Sequence, residues 1–236
     1  MPPMVIDEVI LLVETYFKIC KTTDPVLINL YIDDLSNMLR ALPFFPELLG
    51  NKTFRNTSGM DLMLMNIDYV LKGKWESNKI SKITLEVIKR FQQDQKLLTS
   101  VAQAIRFIAN QNNSSDYGSI TDNNFLGGNL LLNYHKFIET KSNLAVSTAK
   151  NMQDNIELLC YICMNDLTKL YREKAAKLLE LHFCAPISWY TVKEKPIANQ
   201  FIQICPNCHK LAHSDVLFFC EGQLKEAIYK GTAKNV

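Results

Sequence analysis

Four cysteines form two closely spaced pairs in the C-terminal half of the 236-residue chain. Cys160 and Cys163 make the first C-x2-C pair, and Cys205 and Cys208 make the second. Together they offer four thiolates at the spacing with which two knuckles hold one tetrahedral zinc ion. In a reducing compartment such pairs indicate metal rather than disulfides. The spacing therefore predicts a structural zinc site, and the alternative is a set of buried free thiols.

A pair of histidines follows the second cysteine pair. His209 comes directly after Cys208, and His213 lies four residues later. On a helix this spacing places both imidazoles on one face, close enough to share a metal ion. Adjacent side chains point in different directions, so the histidines belong to a second site. Taken alone, the pair would fit a surface or packing role equally well, and His135, which stands outside every motif, is assigned to packing.

Two segments around these residues resemble the HNH, or ββα-metal, endonuclease family in its four-cysteine zinc form. Members commonly read L-E-V-H-H-I-x-P-L-S and then, after a loop, L-C-P-N-C-H-R-x-x-H. The chain reads LELHFCAPIS from Leu179 and FIQICPNCHKLAHS from Phe201. The resemblance extends from Cys160 to Ser214 and leaves the rest of the chain to be interpreted separately.

The resemblance implies a β-hairpin and a following helix that together clamp one divalent ion. Carried over to this chain, His182, His209 and His213 are the ligands of that ion, which would be Mg²⁺, Mn²⁺, Ni²⁺ or Zn²⁺. The ion would bind the scissile phosphate and stabilise the charge that develops as the 3′ oxygen leaves. Asn199 or Gln200 would supply the amide that orients the general base.

The general base of the family directly follows the first ligand, and that position is Phe183 in this chain. A phenylalanine ring cannot accept a proton. The first hypothesis is a metal-dependent DNA endonuclease of restriction or phage-defence type that hydrolyses phosphodiester bonds. The second is a catalytically impaired, HNH-derived module that binds nucleic acid or a partner. A zinc-ribbon interaction protein unrelated to nucleases ranks last.

The elements that must position these residues are mainly helical. Apolar residues at three- and four-residue spacing predict helices over 6–19, 25–42, 62–71, 81–91, 96–108, 130–138 and 148–159. The segments EVILLVETYF and TFRNTSGM also resemble the helical region that precedes the nuclease module in a group of bacterial HNH endonucleases. Arg55 and Asn56 lie in the second segment and could contact phosphates or base edges. The alternative is that Arg55 pairs within a helical domain.

These observations predict an α+β chain of three parts. A mainly helical recognition domain occupies residues 1–110, a linker with a connecting helix occupies 111–150, and a small ββα-metal (HNH) domain with a four-cysteine zinc site occupies 151–236. The boundary is placed at the polar segment NQNNSSDYGSITDNNFLGGN. Its asparagine, serine and glycine residues cannot bury much surface.

The formal net charge of the chain is only +2, so any surface for nucleic acid must be local. Lys193, Lys195 and Lys210 flank the proposed site and are candidate contacts to double-stranded DNA, the alternative being a solvated surface. Trp189 and Tyr190 are predicted to pack in the core rather than to stack on a base. The absence of a long apolar run or a leader pattern predicts a cytoplasmic protein without a membrane partner. A homodimer or a partner subunit is left open.

Overall fold

A computed structural model describes residues 2–111, 129–141, 158–192, 194–214 and 221–232. The chain divides into two compact units, Met1–Leu131 and Leu132–Val236, which we call unit 1 and unit 2. Helices predominate, and the described strands form a two-stranded antiparallel sheet in unit 2, so the fold class is α+β. In these described ranges, no helix has the length and apolar character needed to cross a membrane.

Five α-helices precede residue 112 in unit 1, and the first of them contacts each of the other four. Their bounds are α1 (Ile6–Ile19), α2 (Pro25–Ala41), α3 (Thr57–Leu71), α4 (Lys82–Phe91) and α5 (Gln95–Gln111). The helices predicted for this part of the chain are confirmed. The main difference is that α3 begins at Thr57, because its first turn is held by a cap rather than by apolar side chains.

Polar side chains cap the first turns of α2, α3 and α4. The Asp24 carboxylate accepts from the backbone N–H of Val26 at 2.9 Å, ahead of Pro25 at the first position of α2. Ser81 caps α4, and its side chain accepts from the backbone N–H of Thr84. Asn56 caps α3 through Gly59, where a Cβ atom would lie 2.9 Å from the Asn56 oxygen. Each cap is typically worth about 1 kcal/mol.

The central helix α1 carries three buried carboxylates, and each of them meets a donor within unit 1. Glu14 lies 2.8 Å from the guanidinium of Arg106 and 2.7 Å from the ammonium of Lys18. Asp7 accepts from the backbone N–H of Leu130 at 2.6 Å. Glu8 pairs with Arg55. These contacts offset the cost of placing charge in a helical core.

Arg55 is the buried partner of Glu8. Its Nε donates to Oε1 at 2.7 Å and its Nη2 donates to Oε2 at 2.8 Å, and Nη1 also donates to the carbonyl oxygen of Pro2. Only 3% of Arg55 is exposed. The guanidinium is therefore not available to a phosphate or a base, and Arg55 takes the role of an ion pair inside the helical unit. The side-chain oxygen of Asn56 is likewise engaged, in the α3 cap.

Asp7 should make the stability of unit 1 depend on pH. Burial raises the pKa of its carboxyl from 3.8 to about 6, against the opposing backbone hydrogen bonds from Leu130, Asn129 and Leu131. A raised carboxyl pKa favours the folded state below about pH 4, and that contribution is lost as the pH rises through about 6. The contribution is about 3 kcal/mol, since each pKa unit corresponds to about 1.4 kcal/mol.

We therefore expect Asp7→Asn to become progressively more stable than the wild type between pH 4 and pH 7. Urea unfolding followed by helical circular dichroism at each pH measures the difference. Asp61→Asn, which removes an exposed carboxylate from α3, is the matched control. A difference between Asp7→Asn and the wild type that does not vary with pH would contradict the assignment.

Unit 2 combines short helices with one strand pair. The described elements are α6 (Leu130–Lys141), α7 (Leu167–Tyr171), β1 (Glu180–Phe183), β2 (Phe201–Ile204), α8 (Pro206–Ala212) and α9 (Glu221–Thr232). α6 begins two residues before the boundary between the units. In the antiparallel pair, Glu180 lies opposite Ile204 and Phe183 lies opposite Phe201. Most of the helix predicted over 148–159 and most of the 111–150 linker lie outside the described residues, and at the end of that helix Leu159 forms a β-bridge with Asp166 instead.

An aromatic cluster forms one part of the unit 2 core. The ring of Phe183 lies 4.8 Å from that of Trp189 and 5.2 Å from that of Phe201, measured between centroids. Trp189 and Tyr190 are both buried, which confirms that they pack in the core. Phe183 is fully buried as well. The side chain at the position of the family's general base is therefore part of the hydrophobic core.

Candidate metal centres

The four cysteines of the two C-x2-C pairs come together in unit 2 as free thiols. Their sulfur atoms all lie within 4.8 Å of one another, and the Sγ atoms of Cys163 and Cys205 are 3.9 Å apart. Four sulfurs bound to one zinc ion at about 2.3 Å would lie about 3.8 Å apart. The cluster therefore fits the metal site that the sequence predicts.

Local backbone structure places each pair. In the first pair, Met164 adopts a left-handed conformation (φ 57°) directly after Cys163, and its N–H donates to the carbonyl oxygen of Cys160 at 2.9 Å. In the second pair, Cys205 is the N-cap of α8 and Pro206 starts the helix, so Cys208 lies on the first turn. Two tight turns thus present the four sulfurs to one point.

The chemistry of the buried thiols also favours a cation at this point. Burial, together with the neighbouring thiols of Cys205 and Cys160, raises the pKa of the Cys208 thiol. Thiolates packed this closely without a cation repel one another in a medium of low dielectric. A tetrahedral zinc ion would remove the repulsion, because it would bind all four sulfurs as thiolates.

Three histidines converge elsewhere in unit 2. His182 comes from β1, whereas His209 and His213 lie one turn apart at α8. The ring centroid of His182 lies 5.5 Å from that of His209 and 5.2 Å from that of His213. The structure therefore brings together the three histidines that the resemblance selected as ligands of a divalent ion.

The histidines surround one carboxylate, that of Glu139 on α6. Its Oε1 lies 2.6 Å from Nδ1 of His182 and 2.8 Å from Nε2 of His135, one turn earlier on the same helix. Its Oε2 lies 3.2 Å from Nε2 of both His209 and His213. His135, Glu139 and His182 are buried, and the two histidines of α8 are partly exposed. We call these five residues the His/Glu cluster.

The contacts at Oε2 suit a metal ion better than hydrogen bonds alone. Nε2 of His209 lies 2.9 Å from Nε2 of His213, and both lie 3.2 Å from the Glu139 oxygen. A neutral imidazole carries one N–H, and the second nitrogen of His209 faces the Glu180 carboxylate at 2.5 Å. If Nδ1 of His209 bears the proton, Nε2 of His209 presents a lone pair toward Glu139 and His213. A cation bound by Glu139 and His213 would relieve the close approach of these three atoms.

Further hydrogen bonds hold the cluster from outside. The Tyr190 hydroxyl lies 2.6 Å from Nδ1 of His135, and the backbone N–H of Phe183 donates to Oε1 of Glu139 at 2.9 Å. Metal-binding histidines typically use their second nitrogen in this way, and such partners fix the ring orientation. The cluster is therefore held in place by the strand and the aromatic core.

Electrostatics keep His135 and Glu139 in forms that can bind a cation. Burial lowers the pKa of His135 to about 4, against the opposing hydrogen bond with Glu139, so its imidazole is neutral near pH 7. Burial acts to raise the pKa of Glu139, but hydrogen bonds from the surrounding histidines outweigh burial and hold that pKa far below its ordinary value. A neutral imidazole and an ionised carboxylate are the forms that bind metals.

The remaining predicted site residues do not join this cluster. Asn199 is exposed, and the Gln200 side chain accepts from the backbone N–H of Ile197 at 2.9 Å, so among the described residues neither amide hydrogen-bonds to the histidines. Lys195 and Lys210 are exposed. Lys193 lies outside the described residues. The exposed lysines stay available as contacts to a polyanion.

Two members of the cluster were missed from the sequence. His135 was assigned to packing, and Glu139 was not considered. The signal that could have found them is their spacing, because an H-x3-E pair places both side chains on one face of a helix. The pair lies more than 40 residues before the first motif, however, and only the fold brings it to the other histidines.

Comparison of the chain with protein-family models, with curated proteins and with solved structures found no match. The functional interpretation therefore depends on the geometry of the two clusters and on the resemblance of the motifs.

Proposed function

We propose that unit 2 is a metal-dependent hydrolase of phosphodiester bonds in nucleic acid, of the HNH kind, with double-stranded DNA as its substrate. One observation carries the proposal: His182, His209 and His213, supplied by an antiparallel strand pair and the helix that follows it, converge on the Glu139 carboxylate. Such a group can hold a divalent ion. The four-cysteine cluster supports the same module as a second, structural site.

Each part of the cluster has a role in the proposed reaction. When bound, a divalent ion would supply the charge stabilisation that phosphodiester hydrolysis needs. The buried residues His135, Glu139 and His182 form the inner wall of the site, where the ion would bind. The Glu180 carboxylate orients His209. His209 and His213 form the edge that is open to solvent, where a phosphate would enter.

Two exposed lysines suit contact with the phosphate backbone. Lys210 follows His209 on α8, and Lys195 lies in the loop before β2. Lysine ammonium groups bind phosphates without reading the sequence, so these contacts would position the substrate. Selection of a DNA sequence or modification, and any partner subunit or second copy of the chain, would require other surfaces.

The proposal is tested by incubating the full chain with supercoiled plasmid and Mg²⁺, Mn²⁺, Ni²⁺ or Zn²⁺. We expect relaxed or linear product with at least one of these ions and none in the presence of EDTA. His213→Ala removes one nitrogen from the group and should slow cleavage by about 100-fold or more, because the ion contributes several kcal/mol to catalysis. Absence of cleavage with every ion, or an undiminished rate in His213→Ala, would contradict the proposal.

A second candidate function is favoured by Phe183. Its ring is fully buried, so this position offers no proton acceptor to an attacking water. General-base catalysis is typically worth about 10²–10⁴-fold. The second candidate is accordingly a module that keeps both metal clusters and binds nucleic acid or a partner without cutting. Salt-sensitive binding of the plasmid without cleavage, in the same experiment, would select this candidate.

A further inference from the structure

We propose that α6 supplies two ligands of the ion, His135 and Glu139, so that the ion is held by His135, Glu139, His182 and His213. The resemblance assigns no ligand to the segment before the first cysteine pair. The inference deepens the proposed function and rests on it for the presence of an ion in the His/Glu cluster. It names the ligands of that ion and, through them, its chemical class.

The ligand atoms of the four residues lie close enough to share one ion. His135, Glu139, His182 and His213 each offer one ligand atom, and these atoms all lie within 4.8 Å of one another. Ligand atoms around one tetrahedral ion at about 2.0–2.2 Å lie about 3.3–3.6 Å apart. The contacts of 2.6 Å and 2.8 Å at Oε1 and of 3.2 Å at Oε2 are shorter than this spacing by up to about 1 Å, so the side chains must move apart to admit an ion.

Burial of the Glu139 carboxylate also favours an ion. His135 and His182 are fully buried, and 5% of Glu139 is exposed, so the carboxylate lies in the interior next to the imidazoles. A buried carboxylate requires a cation or several donors. The backbone N–H of Phe183 donates to Oε1. The imidazole nitrogens around Glu139 either donate N–H groups to it or, as lone pairs, bind an ion that provides the positive charge.

The chemical class of the ion follows from the donor atoms. Three imidazole nitrogens and one carboxylate oxygen suit Zn²⁺, Co²⁺ or Ni²⁺, whereas Mg²⁺ takes oxygen ligands and keeps several waters. Four protein ligands also fill a tetrahedral shell. Substrate access would then need a fifth position, which zinc sites can add, and the partly exposed edge at His209 and His213 is where a phosphate would reach it.

Cobalt binding to the full chain tests the assignment. The four-cysteine cluster is first loaded with Zn²⁺. Co²⁺ is then titrated into the chain, and its visible d–d absorption is recorded. Absence of a sulfur-to-cobalt charge-transfer band shows that the cysteines do not bind the Co²⁺. We expect one equivalent to bind, and a large excess of Mg²⁺ not to displace it. Displacement of Co²⁺ by Mg²⁺ at similar concentration would overturn the assigned ion class.

Variants on α6 test whether His135 and Glu139 bind the ion in addition to the histidines that the resemblance assigns. Glu139→Gln and His135→Gln should each weaken Co²⁺ binding by at least about 10–100-fold, the range found even for outer partners of metal ligands. Lys136→Gln, an exposed change on the same helix, should bind as the wild type does. Retention of one zinc per chain shows that unit 2 is folded in each variant. Wild-type Co²⁺ affinity in both Glu139→Gln and His135→Gln would overturn the assignment.

X-ray absorption at the cobalt edge of the wild-type chain gives an answer that needs no variant. We expect a shell of nitrogen and oxygen with the multiple scattering of three imidazoles, those of His135, His182 and His213. A shell composed mainly of water oxygens would overturn the assignment. Because no cleavage is measured, the ligand assignment can fail while cleavage is observed, or hold while none is.

Discussion

Replacing Cys205 with serine is expected to release the metal ion of the four-cysteine cluster and to unfold the strand pair and α8 of unit 2. A structural zinc site contributes about 10–16 kcal/mol to the folding of a small module at neutral pH. The apolar core around this cluster is small and includes the cysteines themselves, with Ile162, Ile204 and Leu224 packed beside them. Such a core cannot replace the contribution of the ion.

Metal analysis and hydrogen exchange on the full chain measure this effect. We expect Cys205→Ser to lose the zinc and the amide protection of β1, β2 and α8. The control is Cys184→Ser, which removes a thiol of the same unit that lies outside the cluster. Zinc content and protection in Cys205→Ser equal to those of the wild type would contradict a metal-dependent fold.

Arg55→Met should destabilise unit 1 by about 3–5 kcal/mol, the usual cost of removing one partner of a buried ion pair. The side chains of Arg55 and Glu8 are 2% and 0% exposed, so the variant leaves the Glu8 carboxylate buried without its guanidinium. Arg55 also donates to the carbonyl oxygens of Pro2 and Pro3. The loss therefore includes the contacts that tie the start of the chain to the helices.

Urea unfolding followed by circular dichroism measures this loss. Lys89→Met, which removes an exposed positive charge from α4, is the matched control and should change stability little. The double variant Glu8→Gln/Arg55→Met should recover much of the loss, because the uncompensated charge is then absent. A decrease of less than about 1 kcal/mol in the free energy of unfolding of Arg55→Met would show that Arg55 and Glu8 do not form a buried ion pair.

Local spacing predicted the parts of the fold that depend on neighbours in the sequence. The apolar periodicity over 6–19 and over 81–91 located α1 and α4, because this signal acts within a few residues. The cysteine pairs predicted their own cluster, since a C-x2-C pair at a tight turn can present two sulfurs only toward one side. These features needed no knowledge of the tertiary structure.

The sequence did not predict features that depend on distant contacts. Arg55 and Glu8 are 47 positions apart, and nothing local indicates that the guanidinium is buried rather than exposed. His135 and Glu139 share a helix face, but such a pair is common on surface helices. Contacts from distant segments, such as that of Phe183 with Glu139 across 44 positions, show that this face belongs to the His/Glu cluster.

Anomalous diffraction at the zinc edge, from crystals of the full chain grown with zinc, is the most direct test of a unit 2 that binds two ions. We expect two peaks per chain. One should lie among the sulfur atoms of Cys160, Cys163, Cys205 and Cys208, and the other between Glu139 and the imidazoles of His135, His182 and His213. The absence of both peaks would contradict binding of two ions by unit 2. A peak at the cysteines alone, with the side chains of the His/Glu cluster ordered but without zinc, would also contradict it.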